Sequence, residues 1–296
     1  IATAVRKADG DIVVKHHEFN HIRDKHKFWG WPVIRGMVNF VESMILGYKM
    51  LMYSAEASGM EDLEDVEMNK FEKWLTDKLG DKFMNFLMGI ATVLGFALAF
   101  AIFFYLPVLA FNKLNQACHG SLTPWQGTFE GVMKILIFVI YIALVSQMKD
   151  IKRTFMYHGA EHKSIACYEA GKELTVDNVR ESCRFHPRCG TSFIFVMLII
   201  SIIFSTILSK IFPSIAHVRV LWMLLKLAFI PLIMGIGYEF IKYAGKHDNL
   251  FVKILSAPGL WMQRLTTKEP TDDIIEVGIE SLKAVITDNP EDDEIK

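Results

Sequence analysis

Two long runs without a charged residue constrain this chain more than any other feature of its sequence. The first run extends from Phe83 to Phe111, and the second extends from Cys189 to Ser209. Each exceeds the roughly 20 residues that an α-helix needs to cross a bilayer core about 30 Å thick. Two further segments, from Phe129 to Met148 and from Val220 to Tyr243, are nearly as apolar. The sequence therefore predicts about four transmembrane helices.

The composition favours a mainly α, polytopic membrane protein over a soluble one. Apolar residues make up 52% of the chain, and 22 Phe stand against only 9 Pro. Within the two less apolar segments, Glu130 and Lys134 are expected at one end of the second span, whereas Lys226 and Glu239 lie inside the fourth. Lys226 is too far from Glu239 along a helix to pair with it.

The basic residues predict which side of the membrane each loop occupies. The segment between the second and third spans carries eight of them, whereas the other two loops together carry three, namely Lys113, Lys210 and Arg219. The eight are Lys149, Lys152, Arg153, Lys163, Lys172, Arg180, Arg184 and Arg188. The positive-inside rule places this segment in the cytoplasm, and an even number of spans then places both termini there. The net charge of −1 gives no reason to expect specific nucleic-acid binding.

The flanking segments predict additional structure outside the spans. Asp9-Gly10 lies between two β-prone runs, a pattern typical of a hairpin. Residues 28–58 predict an amphipathic helix, which either lies in the interface as a re-entrant element or packs on the cytoplasmic domain. The expected organisation is a cytoplasmic β-hairpin (1–27), this helix (28–58), an acidic linker with an interfacial helix (59–82), spans one and two (83–148), a cytoplasmic motif loop (149–191), spans three and four (192–243) and a cytoplasmic tail (244–296).

Helix signals divide the motif loop and the tail. Residues 149–170 are expected to be helical up to Gly171, and Thr175 is expected to cap a second short helix. In the tail, residues 257–270 predict a turn-rich connector. Thr271 then predicts a final amphipathic helix with an apolar stripe, made of Ile275, Leu282, Val285 and Ile286.

The motif loop carries residues at metal-ligand spacing. His158 and His162 are four residues apart and share one face of a helix, while His186 and Cys189 lie three apart just before the third span. His158, Glu161 and His162 form an H-x-x-E-H pattern, in which two imidazoles bind zinc and the glutamate activates water. We therefore predict a divalent metal site, most simply for zinc, with these four ligands and with Glu161 as the catalytic base. Three engaged ligands leave a position for water, whereas four close the shell and make the metal a structural staple.

Two interpretations of the residues around the ligands remain open. Glu239, Glu169 and Arg188 are expected next to the metal ligands, and Arg184 and Arg188 suit a lipid phosphate or a carboxylate. In the alternative interpretation no metal binds, and the histidines and arginines only pair with interfacial carboxylates such as Glu239 and Glu169. Cys167 and Cys183 are expected to be packing residues, although either can replace His186 as a ligand.

Four ordered motifs together resemble the YqhQ family of bacterial membrane proteins. They are YHGAEHKSIACYEAGKELTVDNVR, RFHPRCGTSF, GYEFIK and SAPGLWMQRLTTKEPTDDIIEVGIESLKAV. The resemblance implies a membrane domain of unknown function that is often labelled a predicted metal-dependent enzyme. It also implies an N-terminal Gly-rich stretch ending in an EGVMMR-like motif. Because the chain starts at Ile1 without such a stretch, we expect that some N-terminal sequence precedes it.

Three classes of function follow from these patterns. The first is a metal-dependent hydrolase that acts on a membrane substrate at the cytoplasmic face. The second is a non-enzymatic factor for membrane-protein biogenesis or complex assembly, working with a translocase or a ribosome. The third is a small transporter, which four spans without an internal repeat support least. Membrane lipid and a second copy of the chain are expected as further partners.

Overall fold

A computed structural model gives the fold, and it describes residues 1–19, 21–22, 26–59, 86–87, 89–187, 189–216, 218–247 and 249–287. The prediction of a mainly α protein with four membrane-type helices and an N-terminal hairpin is confirmed. The helices are α1 (Ile34–Ala57), α2 (Gly89–Ala117), α3 (Gln126–Val145), α4 (Lys149–Glu169), α5 (Val176–Glu181), α6 (Gly190–Ile211), α7 (Arg219–Ala244), α8 (Leu250–Thr266) and α9 (Asp272–Lys283). The acidic linker predicted for 59–82 lies almost entirely outside the described residues.

The N-terminal hairpin pairs β1 (Ala2–Arg6) with β2 (Ile12–His16) in antiparallel register, so that Val5 lies opposite Val13. Gly10 has a φ of +95°, a value that side chains other than glycine rarely adopt. The turn therefore forms where Asp9-Gly10 predicts it. Arg6 at the end of β1 binds the Glu276 carboxylate of α9 at 2.5 Å, which attaches the hairpin to the tail.

Four helices are long and apolar enough to span a membrane: Gly89–Ala117, Thr123–Val145, Phe193–Ile211 and Val220–Ala244. The second begins six residues earlier than the apolar run that starts at Phe129. Glu130 and Lys134 therefore lie inside the span and not at its end, contrary to the sequence expectation. Glu130 is almost fully buried and pairs with Lys226 of α7, which compensates two charges within the helix bundle.

Helix α1 packs against the fourth span through two glycines. A Cβ atom built on Gly36 would lie 3.0 Å from the Gly235 backbone, so only glycine permits this approach. Next to this contact, Arg35 donates from Nε to Oε1 of Glu239 at 2.6 Å. Helix α1 contacts both α7 and the hairpin. Whether it lies in the membrane interface, as one of the two sequence interpretations has it, stays a prediction.

The soluble part of the fold is built from the hairpin, α4, α5 and α9. Its core contains Cys167, Val179, Ile275 and Ile279, all of them buried. Helix α4 ends at Glu169, and Gly171 follows with a φ of +67°, as the sequence predicts. The predicted apolar stripe of α9 is wrong in part, because Val285 is exposed and lies past the end of the helix. The buried side of α9 contains, in addition to Ile275, three other apolar residues: Ile274, Val277 and Ile279.

The turn-rich connector predicted for 257–270 is wrong, because α8 continues through Pro258 and Gly259 to Thr266. Proline inside a helix removes one backbone hydrogen bond. The helix persists because one continuous face of it is buried, at helical spacing: Val252, Ser256, Gly259, Met262, Gln263 and Thr266. Packing against α6 therefore overrides the local turn signal. This helix brings the tail to the motif loop.

Candidate metal centre

Helix α4 presents His158 and His162 side by side. The two residues are one helical turn apart, and their ring centroids lie 4.4 Å from each other. His162 is buried and His158 is half-buried, so the pair lies under the surface of the soluble unit. The helical spacing on which the sequence interpretation depends is thus present, with both imidazoles turned towards the N-terminus of α6.

Cys189 completes a group of three ligand atoms. It is the N-cap residue of α6, immediately before the third span. Its Sγ lies 3.2 Å from Nε2 of His158, and one ligand atom each from His158, His162 and Cys189 all fall within 4.8 Å of one another. A tetrahedral zinc ion with N and S ligands requires neighbouring ligand atoms about 3.5 Å apart. The three side chains therefore fit a metal ion of this size.

Backbone carbonyls hold both imidazoles in one orientation. The Nδ1 atom of His158 lies 2.8 Å from the carbonyl oxygen of Thr266, and the Nδ1 atom of His162 lies 2.7 Å from that of Arg184. A carbonyl only accepts, so each Nδ1 carries the proton and donates it. Each Nε2 is then left with its lone pair, which is the tautomer that binds a metal.

The electrostatics of the group favour the thiolate form of Cys189. Burial opposes ionisation of this thiol, but hydrogen bonds with His158, His162 and Thr191 outweigh burial and lower its pKa to about 5. For His158, burial disfavours the charged form. Even so, its hydrogen bonds with Cys189 and the Thr266 carbonyl, together with the nearby negative charges of Cys189 and Glu161, raise its pKa. Both shifts therefore favour a negatively charged sulfur beside His158, and the thiolate is the form of Cys189 that binds a metal.

His186 does not join the three ligands, although the sequence predicts it as the fourth. Its ring centroid lies 5.8 Å from that of His162, and its Nε2 faces the Glu169 carboxylate at 3.3 Å. The backbone of His186 is also fixed to α8, through the side chain of Gln263. Glu169 thus lies beside His186, and its expected role next to a metal stays a prediction.

The remaining predicted site residues lie in different places. Glu161 is exposed on α4, and its charge acts on His158, but among the described residues it forms no hydrogen bond with the ligand group. Glu239 pairs with Arg35 of α1 and, among the described residues, not with the motif histidines. Arg188 lies outside the described residues. Cys167 is a core residue, as expected, whereas Cys183 is exposed; neither belongs to the group.

Sequence reasoning missed the residues that hold the loop between α5 and α6 in place. The Gln263 side chain accepts from the His186 amide at 2.8 Å and donates to the His186 carbonyl at 2.6 Å. On the other side, the buried ammonium of Lys163 donates to the carbonyls of Arg180 and Ser182 at 2.8 and 2.9 Å. Lys163 also pairs with Glu269 of the tail at 3.0 Å. These contacts therefore fix the position of the loop between α5 and α6.

A close backbone approach brings Thr266 to His158. A Cβ atom built on Gly159 would lie 2.1 Å from the carbonyl oxygen of Lys268, and the Lys268 amide donates to the carbonyl of Phe155 at 2.8 Å. Only a glycine at 159 lets the chain after α8 cross α4 so closely. In the sequence, this crossing is indicated only by the glycine at position 159, which lies between His158 and His162.

The fold and the site define a mainly α protein with four helices of membrane-spanning type and, at the end of one of them, a His₂Cys group that could hold a metal. A family model described as a protein of unknown function (DUF1385) matches residues 31–288, and the chain belongs to this family. It is 35% identical over 292 residues to the uncharacterized protein YqhQ of Bacillus subtilis (strain 168), covering 96% of this chain and 86% of that protein. No solved structure matches the chain. The resemblance to the YqhQ family is thus confirmed, while neither description names a metal or a reaction.

Proposed function

We propose that the protein is a zinc-dependent hydrolase embedded in the plasma membrane, with its site at the cytoplasmic face. The observation that carries the proposal is the convergence of His158, His162 and Cys189, with both imidazoles already oriented by backbone carbonyls. Structural zinc sites are closed by four protein ligands, whereas catalytic sites have three and keep one position open. With His186 turned to Glu169, this group is of the second kind.

The chain's own residues supply the other requirements of hydrolysis. A bound zinc ion would lower the pKa of water to about 7. Thr191 lies 3.2 Å from the Cys189 sulfur and orients this ligand. Glu161, next to His162 and on the solvent side of α4, is the proposed base. It would take the proton from water and pass it to the leaving group.

The position of Cys189 indicates the class of substrate. The residue lies directly before α6, and the span Phe193–Ile211 begins four residues later. A bond cleaved here would belong to a lipid-linked or membrane-inserted molecule near the headgroup level. The cytoplasmic side follows from the basic residues of the motif loop, through the positive-inside rule.

The first experiment measures the metal. Elemental analysis of protein purified without chelators is expected to give about one zinc per chain, as a three-ligand site of this kind binds one ion. The double variant His158→Ala/His162→Ala and the variant Cys189→Ser are expected to bind none. His186→Ala is the matched control and is expected to keep the metal. A wild type without stoichiometric metal would reject the proposal.

The second experiment separates catalysis from a structural staple. Glu161→Gln is expected to keep both zinc and fold. Glu161 is exposed and, among the described residues, forms no hydrogen bond with His158, His162 or Cys189. Membrane lipids and membrane peptides of cells carrying either protein are then compared by mass spectrometry. Accumulation of a species in Glu161→Gln cells supports hydrolysis. Identical profiles, with zinc retained, would show that the metal only fixes the loop.

A second function, an assembly factor for membrane proteins, is favoured by one surface. Helix α1 lies outside the four spans, yet it exposes a row of large apolar side chains: Val41, Met44, Ile45, Tyr48, Leu51 and Met52. Lipid, a translocase or a second copy of the chain would cover such a row. Co-purification with a translocase or ribosome from crosslinked membranes, unchanged in Glu161→Gln and lost when Met44 and Tyr48 become Lys, would support this function.

A further inference from the structure

A cavity lies between the four spanning helices and has no role in the metal site. It has a volume of about 280 Å³, and all four spans contribute to its walls. Most of the wall is apolar, with Phe103 and Phe104 on one side and Phe229 on another. Two lysines, Lys134 and Lys226, interrupt this apolar surface. Ionisable residues inside a membrane are costly and mark functional sites by default.

The charges around the cavity do not cancel among the described residues. Lys226 pairs with Glu130, whose other carboxylate oxygen accepts from Gln126 at 2.8 Å, so this pair is complete. Lys134 has no carboxylate partner in the described part of the chain; its ammonium lies 5.0 Å from the centre of the Phe104 ring. One positive charge is therefore left over beside an apolar cavity.

Lys134 is placed deep in the membrane. It lies eleven residues from the start of the span Thr123–Val145, which is roughly 16 Å along a helix. A hydrocarbon core about 30 Å thick therefore has this ammonium near its middle. Its charge is too deep to reach the headgroups of either surface easily, so an anion inside the cavity would compensate it best.

A buried hydroxyl provides a second, independent indication of a polar ligand. Ser205 lines the same cavity and is only 7% exposed, and its Oγ has no hydrogen-bond partner within the described residues. A hydroxyl left unpaired away from water costs free energy unless a ligand satisfies it. Lys134 offers one charge to an acidic group, and Ser205 offers one donor once its side chain turns towards the cavity.

The first span, which forms one wall of the cavity, departs from regular α-helical geometry beside the cavity. Residues Ala101–Tyr105 form a π-helical turn within α2, and this turn carries Phe103 and Phe104 into the cavity wall. Single π-turns are rare and occur frequently at functional sites. The aromatic rings provide an apolar surface that suits a hydrocarbon chain and does not suit a small hydrated ion.

We propose that this cavity binds a single-chain amphiphile with an anionic head, either a carboxylate or a phosphate. The head binds Lys134 and Ser205, and the hydrocarbon chain lies against the phenylalanines of α2 and α7. This site is independent of the zinc site, and it holds whether or not the protein is a hydrolase. Free fatty acids and lysophospholipid phosphates share the chemistry that the cavity recognises.

Trp222 makes the site measurable. It is fully buried, and the Lys226 ammonium lies 4.7 Å from the centre of its ring. Replacement of the other tryptophans with Phe leaves it as the sole fluorophore; these are Trp29, Trp31, Trp74, Trp125 and Trp261. The protein is placed in phosphatidylcholine nanodiscs and titrated with dibrominated stearic acid, at a pH where the acid is ionised. Bromine quenches tryptophan only at close range, so quenching reports occupancy.

Two further probes identify the head. A dibrominated lysophosphatidic acid carries a phosphate, and the methyl ester of dibrominated stearic acid carries no charge. Saturable quenching by either anion, at a concentration at which the ester has no effect, is the expected result. The anion with the lower half-saturation concentration identifies the source. Equal quenching by the ester and the acids would overturn the proposal.

Matched variants locate the binding to this cavity. Lys134→Met removes the charge while retaining the length of the side chain, and is expected to weaken anion binding about tenfold or more. Ser205→Ala is expected to weaken it less. Lys210→Met removes an exposed lysine at the end of α6 and is expected to change nothing. Unaltered anion quenching in Lys134→Met would also overturn the proposal, and circular dichroism verifies that each variant folds.

Discussion

The carbonyl oxygen of Thr266 lies 2.8 Å from Nδ1 of His158, although 108 residues separate the two in the chain. One residue of the candidate metal centre is therefore oriented by the end of α8 and not by its own helix. The same helix, α8, also holds the loop that precedes Cys189, through Gln263. The ligand group thus depends on the docking of the tail against the motif loop.

The variant Gly159→Ala tests this dependence. Its added methyl group would lie 2.1 Å from the Lys268 carbonyl oxygen, so the segment after α8 must move and carry the Thr266 carbonyl with it. We expect zinc affinity to fall about 10- to 100-fold, as for other lost partners of a ligand histidine. Isothermal titration of metal-free protein measures this change. Gly190→Ala, whose Cβ meets nothing within 4 Å, is the control; equal affinities in both variants would contradict the expectation.

The reactivity of Cys189 is expected to follow its lowered pKa. Only a thiolate is alkylated, and a pKa of about 5 keeps Cys189 ionised at neutral pH, whereas an ordinary thiol is mostly protonated there. In metal-free protein with the other cysteines replaced, the iodoacetamide rate should be constant at neutral pH and should fall as pH drops through about 5. In His158→Ala the midpoint is expected to rise. Zinc should protect the wild-type thiol, and a midpoint near 8 to 9 in the wild type would contradict the structure.

Much of the fold follows from local signals in the sequence. The four spans follow from apolar runs, the hairpin from Asp9-Gly10, and the end of α4 from Gly171. The pairing of His158 with His162 also follows locally, because helical spacing alone places them on one face. For each of these features the necessary information lies within about 20 neighbouring residues, so tertiary structure changes only the boundaries.

The features that sequence reasoning missed depend on contacts between distant segments. Helix α8 continues through Pro258 because one of its faces is buried against α6, and no local sequence pattern predicts this contact. The ring of His186 faces Glu169, and its backbone is held by Gln263, 77 residues away. Glu239 pairs with Arg35, which is 204 residues away in the chain. Such partners follow from how helices pack, which the spacing of residues along the chain does not determine.

Gln263 offers a second test of how the loop is held. Its side chain is fully buried and satisfies both backbone groups of His186, so Gln263→Leu leaves a donor and an acceptor unpaired in the interior. Each such group costs about 1–3 kcal/mol. We expect a clear loss of stability in denaturant or thermal unfolding, together with weaker zinc binding. Gln147→Leu is the control, since Gln147 is exposed and its loss should change stability by no more than about 0.5 kcal/mol.

The pair between Glu130 and Lys226 leads to the last prediction. Both side chains lie within spans, and Glu130 is only 1% exposed, so each charge depends on the other. Lys226→Met is expected to destabilise the protein by about 3–5 kcal/mol, because it leaves a buried carboxylate without its counter-charge. In Glu130→Gln/Lys226→Met no charge is stranded, and most of the lost stability should return, since buried pairs add little over apolar replacements.

Unfolding in mixed detergent micelles measures these differences, and the exposed pair of Glu280 and Lys283 provides the control. Lys283→Met removes an ion pair whose side chains are half-exposed and should cost about 0–1 kcal/mol. If Lys226→Met were no less stable than Lys283→Met, the carboxylate of Glu130 would have to be neutral or solvated in the bundle. The assignment of the leftover positive charge to Lys134 would then fail as well, because that assignment requires Glu130 to be committed to Lys226.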